Sequence, residues 1–106
     1  MDILGLMKKA QAVQAKMKDV QEELERLEVE GQSGGGMVKV RLNGKGQMKG
    51  VALDPSLLTP TDREMVEDLI IAAHADARAK ADRIMEEKMQ AVTAGLPLPP
   101  GMKLPF

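Results

Sequence analysis

Residues 3–27 carry one long seam of small and apolar side chains. Ile3, Leu6, Ala10, Val13, Met17, Val20, Leu24 and Leu27 recur at alternating intervals of three and four. That is the a/d spacing of a helix that packs along a narrow stripe, and it predicts one long helix over residues 2–30. The positions between are mostly Lys, Gln and Glu. Such a helix is roughly 40 Å long at 1.5 Å per residue. A stripe of that length needs another helix laid along it.

The second helical pattern begins after residue 58. Thr59-Pro60-Thr61-Asp62 is a helix start, with Thr59 placed to cap, Pro60 at the first helical position and Asp62 able to reach back. Val66, Leu69, Ile70, Ala73, Ala77, Ala81, Ile84, Met85, Met89 and Val92 form the stripe, which extends to about Ala94. Its alanine-rich middle permits close approach of a partner. Gly95 is placed to cap the end, and Pro97 prevents continuation. LPLPPGMKLPF, residues 96–106, reads as an extended, proline-stiffened tail.

Between the helices lie about sixteen residues of strand. Residues 37–42 alternate, with Val38, Val40 and Leu42 on one face and Lys39 and Arg41 on the other. Gln47–Leu53 reads as a second, weaker strand. Asn43-Gly44-Lys45-Gly46-Gln47 is the loop between them, and Ser33-Gly34-Gly35-Gly36 reads as a hinge from the first helix. The expected class is α+β: helix, hairpin, helix over residues 1–95, followed by the tail. Two strands alone are marginal in water. One copy cannot bury both helical stripes and the hairpin's apolar face. The expectation is a homodimer whose hairpins join edge to edge into a wider sheet while helices pair.

The glycines do not spell a phosphate cradle. In the Walker pattern, Gly44-Lys45 would be followed by Ser or Thr, but Gly46 stands there, and Lys39 holds the earlier glycine position. The dinucleotide pattern fails too, because Lys39 follows Gly34 and Gly36 where a third glycine belongs. His74 is the lone histidine, with no nucleophile or acid spaced to work with it. No cluster has metal-ligand spacing, and cysteine is absent. The expectation is neither an enzyme nor a cofactor, metal or small-molecule binder. No run of 18 apolar residues exists and Met1-Asp2 leads directly into the helical pattern, so the expected location is cytoplasmic, without membrane contact.

The net charge of −1 hides a strong alternation. Lys8, Lys9, Lys16 and Lys18 face only Asp2 within residues 1–18. Residues 19–30 are acidic, with Arg26 alone against Asp19, Glu22, Glu23, Glu25, Glu28 and Glu30. Residues 31–53 carry Lys39, Arg41, Lys45 and Lys49 and no acid. Residues 54–76 are acidic again, and residues 77–94 hold Arg78, Lys80, Arg83 and Lys88 against Asp82, Glu86 and Glu87.

Several segments together resemble a known family. They are LMKKAQAVQAKM (6–17), EVEGQSGGGMVKVRLNG (28–44), LDPSLL (53–58), MVEDLIIAAHADA (65–77), EKM (87–89) and LPPGMKLPF (98–106). In order and spacing they are similar to the YbaB/EbfC nucleoid-associated proteins of bacteria. His74 and Ala75 depart from the Phe and Asn common there, which bears on local packing. The resemblance implies a symmetric dimer with helices projecting from a central sheet like tweezer arms. It also implies binding to double-stranded DNA, with roles in nucleoid organisation and gene regulation.

Placed on that architecture, the charge blocks give candidate contacts. The acidic blocks fall where the helices join the hairpin, and the basic blocks at the far ends. Lys8, Lys9, Lys16 and Lys18, with Arg78, Lys80, Arg83 and Lys88 opposite, are the expected phosphate contacts at the arm tips. A competing reading makes them a solvated helix face with i, i+4 pairs such as Arg83–Glu87. Lys39, Arg41, Lys45 and Lys49 form a secondary candidate surface on the sheet, which the neighbouring acidic helix ends would balance. No aromatic side chain sits there to stack bases. No helix-turn-helix or zinc pattern is present, so weak sequence preference is expected. The alternative from another class is a protein-binding scaffold or holdase, clasping apolar peptide between methionine-rich arms.

Overall fold

The computed structural model describes residues 2–93. The chain runs α1 (Ile3–Arg26), β1 (Glu28–Ser33), β2 (Val38–Asn43), β3 (Met48–Leu53) and α2 (Arg63–Thr93). Short 3-10 turns cover Gly34–Gly36, Pro55–Leu57 and Pro60–Asp62. The α+β class and the long helices at both ends agree with the sequence reading. The expected helix end at Ala94, the Gly95 cap and the tail at 96–106 lie outside the described residues.

The sheet has three antiparallel strands in the order β1-β2-β3, not two. The first helix therefore stops at Arg26 rather than continuing to residue 30. Leu27 is extended, at φ −72° and ψ 136°, and its N–H still donates to the Glu23 carbonyl. The β2–β3 turn then takes over as the cap. Gly44 N–H donates to the carbonyls of Leu24 (2.7 Å) and Leu27 (3.1 Å), meeting acceptors that a helix end leaves unpaired. Only glycine fits there, because a Cβ at Gly44 would lie 2.7 Å from Leu24 Cδ2 and 2.9 Å from its carbonyl oxygen.

Ser33–Gly36 is accordingly a tight reversal between two strands, not a hinge between helix and hairpin. Gly34, Gly35 and Gly36 have φ of 61°, 68° and 93°, a left-handed run that side-chain-bearing residues resist. The second turn is built around Asn43, which is 1% exposed. Its Oδ1 accepts from the N–H groups of Lys45 and Gln47, both at 3.0 Å, and its Nδ2 donates to Gln47 Oε1. A buried amide so fully paired fixes the turn.

One face of the sheet is covered by α2. Val38, Val40 and Leu42 from β2 and Val29 from β1 are buried against Ala73, Ala77 and Ala81, spaced four apart on one side of α2. Leu57 closes one end. The small alanines let the helix come down onto Gly31, which pairs with Val40 in the middle of the sheet. A Cβ at Gly31 would stand 2.1 Å from the Ala73 carbonyl oxygen and 2.3 Å from the Ala77 nitrogen.

The two sheet edges differ. Along β1, α2 side chains occupy the outward backbone groups: Gln32 N–H donates to Asp76 Oδ2 (3.0 Å), and Lys80 Nζ donates to the Glu30 carbonyl (2.8 Å). Ser33 Oγ donates to the Leu69 carbonyl. Along β3 no strand pairs on the outer side among the described residues. A register shift between Arg41 and Leu42 leaves Lys49 as the extra residue of a bulge. Met48 and Val51 pair with Leu42 and Val40, so they share the helix-facing side, yet they remain 49% and 45% exposed.

Beyond the sheet, α2 continues and pairs antiparallel with the C-terminal half of α1. Leu24 is buried, Lys88 Nζ meets Glu23 Oε2 at 2.6 Å, and Val20 and Val92 line the same shallow groove. The rest of α1 projects, giving a molecule 69 Å long and 17 Å across its thinnest dimension.

The steric reading of Gly31 is directly testable. Gly31→Ala drives a methyl group into helix backbone, and urea unfolding should show a loss of about 3 kcal/mol or more. Gly35→Ala meets no atom within 4 Å. It should cost only about 1–2 kcal/mol, from its positive φ.

Candidate nucleic-acid interface

The expected arm-tip cations do not form one group. Helix α2 crosses the sheet with its first half, so Arg78 and Lys80 lie beside the strands rather than at a far end. Lys80 bridges the Glu30 carbonyl and Asp76 (3.3 Å). Arg78 pairs with Asp82 at 3.0 Å, and its guanidinium lies against Gly46, where a Cβ would stand 2.3 Å from Nη1. Lys88 lies further along, and its charge is taken up by Glu23. Arg83 is exposed, and among the described residues the Arg83–Glu87 pair does not form.

The four lysines of α1 present a different picture. Lys8, Lys9, Lys16 and Lys18 are all exposed, and none has an ion-pair partner among the described residues. At 100° per residue, Lys8 and Lys18 point away from the apolar seam, while Lys9 and Lys16 flank it. Lys16 borders the groove between the helices, beside Asp19 and Val20. The lysines therefore wrap the outer side of a projecting rod. Ile3 and Leu6, 67% and 54% exposed, leave the same end of the rod apolar on its seam side.

The secondary surface is partly neutralised. Lys39 and Arg41 share the face opposite α2, as the alternation predicts. Arg41 faces Glu28 at 3.8 Å, and Lys45 meets Glu25 at 2.8 Å. Glu25 lies in the last turn of α1, so an acidic helix end does sit beside this basic patch. Lys39 and Lys49 have no ion-pair partner among the described residues. Sequence patterning placed the acidic helix end beside Lys45 but missed the acids that engage Lys80 and Lys88. Glu25–Lys45 and Glu23–Lys88 join segments 20 and 65 residues apart, a range beyond local spacing. Asp76–Lys80 is an i, i+4 pair whose signal was available in the sequence.

These acids carry the expected electrostatic signature. The hydrogen bond and charge of Lys88 hold Glu23 below its ordinary pKa, and Lys45 does the same for Glu25. Asp76 is lowered first by the Gln32 N–H and then by Lys80. No cluster of His, Asp or Glu among the described residues is arranged to hold a metal ion.

A protein-family model, the YbaB/EbfC DNA-binding family, matches residues 1–96. The chain belongs to the YbaB/EbfC DNA-binding family. Among curated relatives, a nucleoid-associated protein of Methylocella silvestris is 65% identical, covering 99% of this chain and 98% of its own. A nucleoid-associated protein of Agrobacterium fabrum is 56% identical with the same coverage. Among solved structures, the uncharacterized protein HP0035 from Helicobacter pylori aligns with a TM-score of 0.70 at 25% identity. That alignment covers 91% of this chain and 97% of the other. The family is described by DNA binding, and the curated relatives are named nucleoid-associated proteins.

The lowered carboxylates set the direction of an acid response. Each has a folded-state pKa below its unfolded value, so its contribution is full above the unfolded pKa and disappears as pH falls through the folded one. Stability should decline from about pH 5 downward. Asp76→Asn should flatten part of that decline, measured as the urea midpoint between pH 3 and 7. An unaltered profile would remove Asp76 from the account.

Proposed function

We propose that two copies of this chain join through β3 and present the lysines of α1 to the phosphates of double-stranded DNA, with weak sequence preference. The observation that carries the contact surface is the contrast between Lys8, Lys9, Lys16 and Lys18, exposed without ion pairs, and Arg78, Lys80 and Lys88, each engaged with an acid. A lysine already held by a carboxylate gains less from a phosphate, because that pair must first separate. Arg83, exposed and without an ion pair among the described residues, stays in the primary set, though it lies between Ala81 and Ile84 at the sheet. The asymmetry of the sheet edges supports dimerisation: β1 is occupied by its own helix, while β3 has an open ladder with Met48 and Val51 beside it.

Recognition through phosphates would be sequence-tolerant and strongly salt-dependent. The family and the names of the relatives support a place in the nucleoid, within the cytoplasm; a part in its organisation and in gene regulation is proposed with this reading. No helix among the described residues is long and apolar enough to cross a membrane. The apolar end of α1 favours the holdase reading as an alternative, and salt separates the two. Phosphate binding weakens with ionic strength, whereas apolar capture persists.

Neutralising Lys8, Lys9, Lys16 and Lys18 to Gln should weaken duplex binding at least tenfold. It should also lower the log–log salt slope by about 0.9 for each phosphate no longer neutralised. Arg78→Gln with Lys80→Gln should leave the slope nearly unchanged. Wild-type affinity in the four-lysine variant would move the interface elsewhere. For assembly, Met48→Asp with Val51→Asp should shift sedimentation from two chains to one at equal helicity; a variant that sediments as two chains would place the dimer contact away from β3.

A further inference from the structure

The apolar seam of α1 is only half used. Its C-terminal part lies against α2, with Leu24 buried and Val20 beside Val92. Toward the tip, Ile3 and Leu6 stand 67% and 54% exposed and Ala10 is open, although the three-four spacing runs on unbroken. A seam with that spacing is shaped to take a second helix along its whole length. The last turn of α2 lies opposite Lys16, Asp19 and Val20, and among the described residues no other helix reaches the tip.

The two flanks of the tip are unequal. At 100° per residue, Asp2, Lys9 and Lys16 fall on one side of the seam, and Met7 and Gln14 on the other. Asp2 makes no side-chain cap hydrogen bond, and Lys9 and Lys16 pair with no acid among the described residues.

We propose that the α1 tips of two copies pair antiparallel through this seam, and that Lys9 of each copy together form a phosphate site that neither copy has alone. This deepens the reading of the α1 lysines as phosphate contacts and rests on it.

The seam is self-complementary in that direction. Setting Leu6 opposite Ala10 of the second copy also sets Ile3 opposite Val13, and two-fold symmetry repeats both contacts. The bulky Leu6 thus meets the small Ala10 twice, whereas parallel pairing in register would oppose Ala10 to Ala10 and leave a gap. Antiparallel pairing also brings like flank against like flank. Asp2 then lies about 3 Å along the axis from Lys16 of the second copy, and this attraction occurs twice. The two Lys9 residues meet at the two-fold with the same offset and no acid between them. Their repulsion opposes the contact, and a phosphate seated between them replaces it with two charge-assisted hydrogen bonds. Pairing and phosphate binding therefore favour each other.

The chain has no cysteine, so introduced cysteines report the register. Full-length chains carrying Leu6→Cys or Ala10→Cys are mixed in a glutathione buffer. Mixed disulfides should exceed those between two Leu6→Cys chains about fivefold, since only the mixed pair is brought within bonding distance. Ile3→Cys mixed with Val13→Cys is a second pair set by the same register. Adding duplex DNA should raise the mixed yield about tenfold relative to the Leu6→Cys homodisulfide, because crowding along DNA raises both alike. Lys9→Gln should raise the DNA-free mixed yield about threefold and remove the gain with DNA. Equal trapping of mixed and like pairs overturns the pairing. So does the absence of any trapping, the result expected if another segment or a different partner holds the seam. No gain with DNA, or a gain that persists in Lys9→Gln, overturns the shared site. Failure of the phosphate reading itself is distinct: the four-lysine variant would keep wild-type duplex affinity while the DNA-free disulfides still form.

Discussion

The structure depends on how close one helix comes to one strand. Ala73 and Ala77 present almost no side chain, Gly31 presents none, and the backbones meet where a single methyl group would collide. That proximity lets Asp76 and Lys80 reach the outward groups of β1. It also places Val38, Val40 and Leu42 under α2 without any large aromatic filler. A core with so little side-chain bulk is stable only if its layers sit close together, since dispersion falls quickly across even a small gap.

From that contact the rest of the arrangement follows. With α2 fixed across β1 and β2, its continuation is aimed past the sheet, and α1 must run antiparallel to it to bury Leu24. The hairpin turn at Asn43–Gly46 tucks under the end of α1 and supplies the N–H of Gly44 that terminates it. Acidic residues gather at this junction because cations from three elements arrive there: Lys45 from the turn, Lys88 from α2 and Arg41 from β2. The projecting part of α1 escapes that neutralisation because, among the described residues, no acid-bearing element accompanies it.

Much of this was legible in the sequence. The three-four spacing located α1, and the alternation Val38–Lys39–Val40–Arg41–Leu42 located β2 and its faces. Strand β1 was not legible. Its inward positions are Val29, Gly31 and Ser33, so two of three lack the bulk that marks a buried face, and its outward Glu28 and Glu30 extend the charge run of the helix before it. Small inward residues signal a strand only once the helix that presses on them is known. The lysines of α1 were identifiable as a cluster; the separation of Arg78 and Lys80 from them was not. It depends on where a 31-residue helix lies relative to the sheet, which no local pattern encodes.

The unequal borders of the sheet also bear on polymerisation. With one border already taken by its own side chains, the sheet leaves one edge for addition, and under the proposed β3 pairing growth by edge addition would end at two copies. Were both borders open, the same strands would nucleate an endless ribbon. Under that pairing the carboxylate of Asp76 and the ammonium of Lys80, which occupy the β1 border, would act as chain terminators.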